Sequence, residues 1–140
     1  MAYIDTSLLV AYYCPEPLSK PAQRAIRRAD PPTLSPLVEL ELYSAVAAKV
    51  RTGELDEAAA VRIVTLLAQH LAEGRYGVVA LTAADYGLAR DWIGRFSAPL
   101  RAPDALHLAA AVSNELTLLT ADRQLAASAE HFGVKHKLIS

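Results

Sequence analysis

A single cysteine, Cys14, excludes an intramolecular disulfide and a thiolate zinc cluster, and leaves that side chain the role of a small apolar filler. Long hydrophobic runs are also missing. Although 53% of the residues are hydrophobic, each apolar stretch is interrupted well before the roughly 18 residues a membrane span requires. No basic stretch precedes Leu8-Leu9-Val10 and Asp5 stands just ahead of it, so the N-terminus does not read as a signal peptide and the cytoplasm is the expected location. Nor is there a charge excess: 14 Lys and Arg against 15 Asp and Glu give a net charge of -1, which does not advertise a nucleic-acid binder. Repeats, low-complexity tracts and Gly/Ser linkers are absent. Punctuation is confined to short clusters such as Pro15-Glu16-Pro17, Pro31-Pro32, Thr52-Gly53 and Ala98-Pro99, so residues 1–140 are expected to form one domain around one core.

What is present is alternation. Short apolar strand candidates at Tyr3 to Ile4, Gly77 to Leu81, Leu116 to Thr120 and Lys135 to Ile139 are separated by longer helical patterns. The helices are expected at Ser7 to Tyr13, Ser19 to Ala29, Pro36 to Thr52, Asp56 to Glu73, Thr82 to Phe96, Pro103 to Glu115 and Asp122 to Phe132. Strands separated by helices predict an α/β protein, a three-layer α/β/α sandwich around a central, mainly parallel sheet. Thr82 is placed to cap its helix with Asp85 facing the positive end of the dipole, and Thr120 could do the same ahead of Asp122. Gly53 fits a left-handed C-cap that closes one helix of a hairpin.

Three aspartates stand where strands give way to helices or at a buried helix start. Asp5 follows the first strand and precedes Thr6-Ser7; Asp122 repeats the arrangement after Leu116 to Thr120. Acids there point into the crevice outside the carboxyl ends of a parallel sheet, although each alone is equally explained as a helix N-cap. Asp104 follows Pro103, which is suited to the first helical position, and precedes an apolar run through Val112, so its helix is expected to be buried. A carboxylate buried there needs a cation or hydrogen bonds; the simpler reading is a first-turn acid.

Glu39 and Glu41 lie about 200 degrees apart around a helix, so they cannot both face one site. Leu37, Val38, Ser44 and Ala45 surround Glu41 and suggest that it points inward, whereas Glu39 is explained by the helix-start dipole. Carboxylates brought together repel: one pair about 4 Å apart costs roughly 4 kcal/mol at an effective dielectric of about 20. A cluster of all four makes sense with a bound cation, and all-oxygen ligation favours Mg or Mn over Zn. With those four set aside, fourteen basic residues face eleven acids, an excess of positive charge that could attract RNA.

Together, Tyr3-Ile4-Asp5-Thr6-Ser7, Ser35 followed six positions later by Glu41, Pro103-Asp104-Ala105-Leu106-His107-Leu108-Ala109-Ala110-Ala111, and Leu118-Leu119-Thr120-Ala121-Asp122-Arg123 resemble the PIN-domain family, specifically the VapC toxins of toxin-antitoxin pairs. The likeness runs through nearly the whole chain in order. It implies a parallel α/β/α sandwich and a metal-dependent endoribonuclease with Asp5, Glu41, Asp104 and Asp122 holding one or two Mg or Mn ions, which lower the pKa of a water and neutralise charge on the scissile phosphate. Thr120 and Thr6 match supporting hydroxyl positions. The resemblance further implies an antitoxin that blocks the acidic site, and homodimers. The second motif departs from a single-acid pattern because Glu39 accompanies Glu41, and a shifted helix would exchange them.

His107, three residues after Asp104, could orient it or be a core histidine. Arg123 is a candidate RNA contact or an exposed ion-pair partner. Arg24, Arg27 and Arg28 share one side of a helix and could track phosphate, with a solvated face as the simpler reading. Tyr12, Tyr13, Tyr43, Trp92 and Phe96 are assigned to helix packing. A phosphatase with an aspartate nucleophile at Asp5 would need a second acid where Ser7 stands; a signalling receiver would need an acidic pair at Asp5 and a lysine absent between Lys49 and Lys135. The remaining alternative is a non-catalytic PIN-like module that binds RNA or a protein, against which the presence of all four acids speaks.

Overall fold

The computed structural model describes residues 1–140. Five strands, β1 (Ala2–Ile4), β2 (Pro32–Leu34), β3 (Gly77–Val78), β4 (Thr117–Thr120) and β5 (His136–Leu138), form one sheet in the order β3-β2-β1-β4-β5. All neighbouring pairs are parallel. The helices are α1 (Thr6–Tyr13), α2 (Ser19–Arg28), α3 (Pro36–Arg51), α4 (Glu57–Ala72), α5 (Ala83–Ile93), α6 (Ala102–Ser113) and α7 (Arg123–His131). From β1 the chain steps outward to β2 and β3, then returns past β1 to β4 and β5. Right-handed crossovers therefore place α1 to α4 on one face of the sheet and α5 to α7 on the other.

The expected elements are present with shifted ends, and one strand is new. β2 lies where Pro31-Pro32 reads as punctuation. A proline is tolerated as the first residue of a strand, and Pro32 occupies that position. β3 is shorter than expected, yet the amide of Val79 still donates to the carbonyl of Leu34 at 2.8 Å. Gly77 is required there: a Cβ would stand 2.9 Å from Oγ1 of Thr33 on the neighbouring strand.

Helix ends follow local chemistry. Thr82 and Asp85 form the reciprocal capping box, and Gly53, with φ of 79°, turns the chain out of α3. Ala102, not Pro103, takes the first position of α6. Thr120 does not cap α7. Asp122 does, its Oδ1 accepting from the amides of Gln124 at 2.8 Å and Leu125 at 3.2 Å.

The core gathers the apolar faces of both helical layers on the sheet. Tyr3, Ile4, Leu8, Leu9, Leu34, Val38, Leu42, Leu108 and Leu118 are buried there, and Cys14 fills it as expected. Trp92 and Tyr13 pack as expected, but Phe96 does not: it follows the end of α5 in a left-handed conformation and is 90% exposed. No helix is long and apolar enough to cross a membrane.

Candidate active site

The carboxyl ends of β1 and β4 lie side by side, because Ile4 pairs with Leu119 and the Asp5 amide donates to the Leu119 carbonyl at 3.2 Å. Asp5 leaves β1 as the N-cap of α1, and its Oδ1 accepts from the Leu8 amide at 3.0 Å. The N-cap reading was therefore sound, but it leaves most of the carboxylate's bonding to side chains. Ser7 lies within hydrogen-bonding distance of both carboxylate oxygens, at 2.8 and 2.9 Å, and Thr120 Oγ1 donates to Oδ2 at 2.5 Å. Thr120 also accepts from the Asp122 amide at 2.9 Å, so one hydroxyl links the two acids that close β1 and β4.

Glu41 reaches this region from the second turn of α3. Its Oε1 accepts from Thr6 Oγ1 at 2.8 Å and from His107 Nε2 at 2.5 Å. His107 belongs to the buried run of α6, and its Nδ1 lies 2.8 Å from the hydroxyl of Tyr3, which lies 2.8 Å from Ser35 Oγ. One proton arrangement satisfies every member: Ser35 donates to Tyr3, Tyr3 donates to Nδ1, and the remaining ring N–H donates from Nε2 to the carboxylate. Histidine thus orients Glu41, not Asp104. Glu39 turns away, toward a surface hollow shared with Pro36, Leu40 and Tyr43.

Asp104 lies in the first turn of α6 and is partly buried, with its Oδ2 3.6 Å from Nε of the exposed Arg101. Arg123 is the exposed first residue of α7. Hydrogen bonds tie the Asp5 carboxylate to Thr120 and the Glu41 carboxylate to Thr6 and His107, whereas the Asp122 carboxylate bonds to amides of its own helix and Asp104 meets only Arg101. Thr120 lies between Asp5 and Asp122, Thr6 between the Asp5 turn and Glu41, and His107 between Glu41 and the start of α6.

The four acids are not drawn to a single point in this structure. No group of three or more His, Cys, Asp and Glu side chains is close enough together to hold a metal ion. The donor set is nonetheless of the right kind for a hard divalent cation, since its carboxylate and hydroxyl oxygens include no thiolate.

The two inner carboxylates differ electrostatically. Burial pushes the Asp5 carboxyl above the usual range, against the opposing pull of the Thr120 hydroxyl, the Leu8 amide and the Ser7 hydroxyl. Burial also raises Glu41, but the hydrogen bond from His107, followed by that from Thr6, outweighs it and holds the carboxyl below its ordinary value. Burial pushes the Tyr3 hydroxyl far up, so it remains a neutral donor.

Tyr3 and Ser7 were not singled out as functional from sequence. Ser7 carried a usable signal, because a serine two residues after an aspartate that ends a strand is placed for a local side-chain bond. Tyr3 carried none beyond strand alternation, its partners being 32 and 104 residues away.

This architecture has relatives. The chain is similar to VapC20 of Mycobacterium tuberculosis, described as a toxin cleaving the sarcin-ricin loop, at 19% identity and a TM-score of 0.71 over 91% of this chain and 95% of that one. It is similar to a chain of VapBC2 from Rickettsia felis, solved on a promoter DNA fragment, at 17% identity and a TM-score of 0.72 over 100% of both chains. It is also similar to PAE2754 of Pyrobaculum aerophilum, at 24% identity and a TM-score of 0.68 over 97% of this chain and 83% of that one. No curated protein matches it by sequence. The family model described as PIN domain matches residues 2–130, a span that runs from β1 into the last turn of α7 and takes in all four acids; the chain belongs to the PIN-domain family.

Proposed function

We propose that this protein is a metal-dependent endoribonuclease and the toxin of a toxin-antitoxin pair. The observation that carries the reading is the placement of Asp5 and Asp122 at the joined carboxyl ends of β1 and β4, bridged by Thr120, in a PIN-domain chain. Asp5, Glu41, Asp104 and Asp122 would hold the Mg or Mn. When bound, that cation supplies a Lewis acid that neutralises charge on a phosphodiester and acidifies water.

The protein's own contribution is orientation. Ser7 and Thr120 aim the Asp5 carboxylate, while Thr6 and His107 aim Glu41. Arg123, exposed one residue beyond Asp122, would meet a phosphate, for which a guanidinium fork is suited. No nucleophilic side chain is required, so hydrolysis needs no covalent enzyme intermediate. The solved relatives described as toxin-antitoxin assemblies support an antitoxin as partner. A homodimer working in the cytoplasm completes the reading.

The test is cleavage of an RNA by the purified chain with Mn, with Mg and with a chelator. Cleavage that requires the metal is expected. RNA binding with no cleavage under any of these conditions would replace the nuclease with a non-catalytic binding module.

A further inference from the structure

An open cleft of about 430 Å³ lies between α2 and the strand surface of β1, β4 and β5. The crossover directions explain it: α1 to α4 serve the β1, β2 and β3 side, and α1 reaches only as far as β4, leaving the same face of β5 without a helix of its own. Its floor includes Ala2, Leu119 and Ile139. Arg24 and Arg28 stand one turn apart on the α2 wall, and Lys137 joins them from β5, the edge strand, directly beside Leu119.

No Asp or Glu side chain lines the cleft, and none of these three cations is within ion-pair distance of a carboxylate. Seven other basic residues also lack an acid partner, so what marks these three is that one cleft gathers them. Three unpaired cations over an apolar floor make a binding surface for an extended anion with flat apolar parts. Two guanidinium forks a turn apart suit successive phosphates, and the aliphatic side of the cleft suits the sugars between them.

Leu119 joins this cleft to the acidic site. It lies on the cleft floor, while Thr120, the next residue of the same strand and so facing the other side of the sheet, donates to Asp5. A strand of nucleic acid that rounds the carboxyl end of β4 would pass from one to the other. We propose that the cleft formed by Arg24, Arg28 and Lys137 is a second, non-catalytic binding site for single-stranded RNA. The proposal rests on the nuclease reading for its biological sense, but not for its chemistry.

The test is fluorescence anisotropy with a labelled oligouridylate in chelator, so that binding is read without turnover, on wild type and on the triple variant R24Q/R28Q/K137Q. All three residues are exposed, and circular dichroism of both proteins controls for folding. For single strands each neutralised phosphate contributes about 0.7 to the slope of log affinity against log salt. The triple variant should therefore bind at least roughly 10-fold more weakly near 50 mM salt, with the slope reduced by about two.

Inorganic phosphate and a poly-glutamate peptide serve as competitors, and neither should displace the RNA at comparable charge concentration. Unchanged affinity and slope in the triple variant overturns the proposal. So does displacement by poly-glutamate as effective as by unlabelled RNA, which would make the cleft a site for an acidic protein segment, or by phosphate alone, which would make it a simple anion site. Failure of the nuclease reading appears separately, as absence of Mn-dependent cleavage by the wild-type protein from the same preparation.

Discussion

His107 Nε2 lies 2.5 Å from Glu41 Oε1 across the gap between α6 and α3, and its other ring nitrogen is fixed by Tyr3. The relay runs Ser35, Tyr3, His107, Glu41, and its first three members are buried. Tyr3→Phe removes one hydroxyl and leaves two buried partners, Ser35 and Nδ1, each short of a bond, at a cost of about 1–3 kcal/mol. Supporting partners of metal ligands typically influence metal affinity or activity by about 10- to 100-fold. Tyr3→Phe should therefore lower both the urea midpoint and the Mn-dependent cleavage rate. A stability loss with cleavage untouched would reduce the relay to a packing device.

The two glutamates separate more sharply. Glu41→Gln should abolish cleavage and the melting-temperature rise given by Mn together, whereas Glu39→Gln should leave both near wild type, with only a few tenths of a kcal/mol from a weakened helix-start interaction. Cleavage rates and thermal melts with Mn check both variants. The reverse pattern would give Glu39 the ligand role despite its outward position beside Leu40 and Tyr43.

Their assignment shows where sequence is informative. The 3.6-residue period and the apolar neighbours of Glu41 are local facts, and the helix forms with the rotation they imply. The capping box at Thr82 and Asp85 was legible for the same reason. The partner of Thr120 was not, because a hydroxyl at a strand end can cap the next helix or cross to a neighbouring strand, and only the β1–β4 pairing decides for Asp5. β2 was hidden because Pro32-Thr33-Leu34 is too short for alternation and begins with a residue that usually interrupts strands. The relay through Tyr3 and His107 joins segments that only the sheet brings together. The acids at strand and helix starts could be picked out one by one, but the partners that Asp5 and Glu41 find across the fold could not.

Asp5 gives a pH dependence. Its folded pKa is raised above the unfolded value, so without metal its contribution to stability is fully present below the ordinary carboxylate range and is lost as pH rises through the folded pKa. A divalent cation requires the ionised form. The melting-temperature increment from Mn should therefore be small near pH ~4 and grow as pH rises through a midpoint above the usual Asp value of about 3.9. In Asp5→Asn the metal-free protein should be more stable than wild type near pH ~7, and the Mn increment smaller. Thermal melts across this range, with Mn and with chelator, check it; an increment independent of pH would contradict it.

Asp122 has two roles that substitutions can divide. As the N-cap of α7 it accepts two amides through one oxygen, a task asparagine performs as well, so Asp122→Asn should change stability by only a few tenths of a kcal/mol. Asp122→Ala should cost roughly 1 kcal/mol through the lost cap. Both remove the negative charge, and both should abolish cleavage. Urea titrations beside cleavage assays check the division, and an active Asp122→Asn protein would leave this aspartate with its capping role alone.

Whether these acids serve a metal-dependent reaction is measured most cleanly at Asp104. It is partly exposed, caps nothing, and has only the distant guanidinium of Arg101 beside it. Asp104→Asn should therefore keep the fold and lose the function. RNA cleavage by wild type and Asp104→Asn, with Mn and with chelator, should be measured on preparations whose circular dichroism is identical. The prediction is metal-dependent cleavage by wild type and none by the variant. Cleavage at the wild-type rate by folded Asp104→Asn would contradict the site, and cleavage indifferent to chelator would contradict the metal.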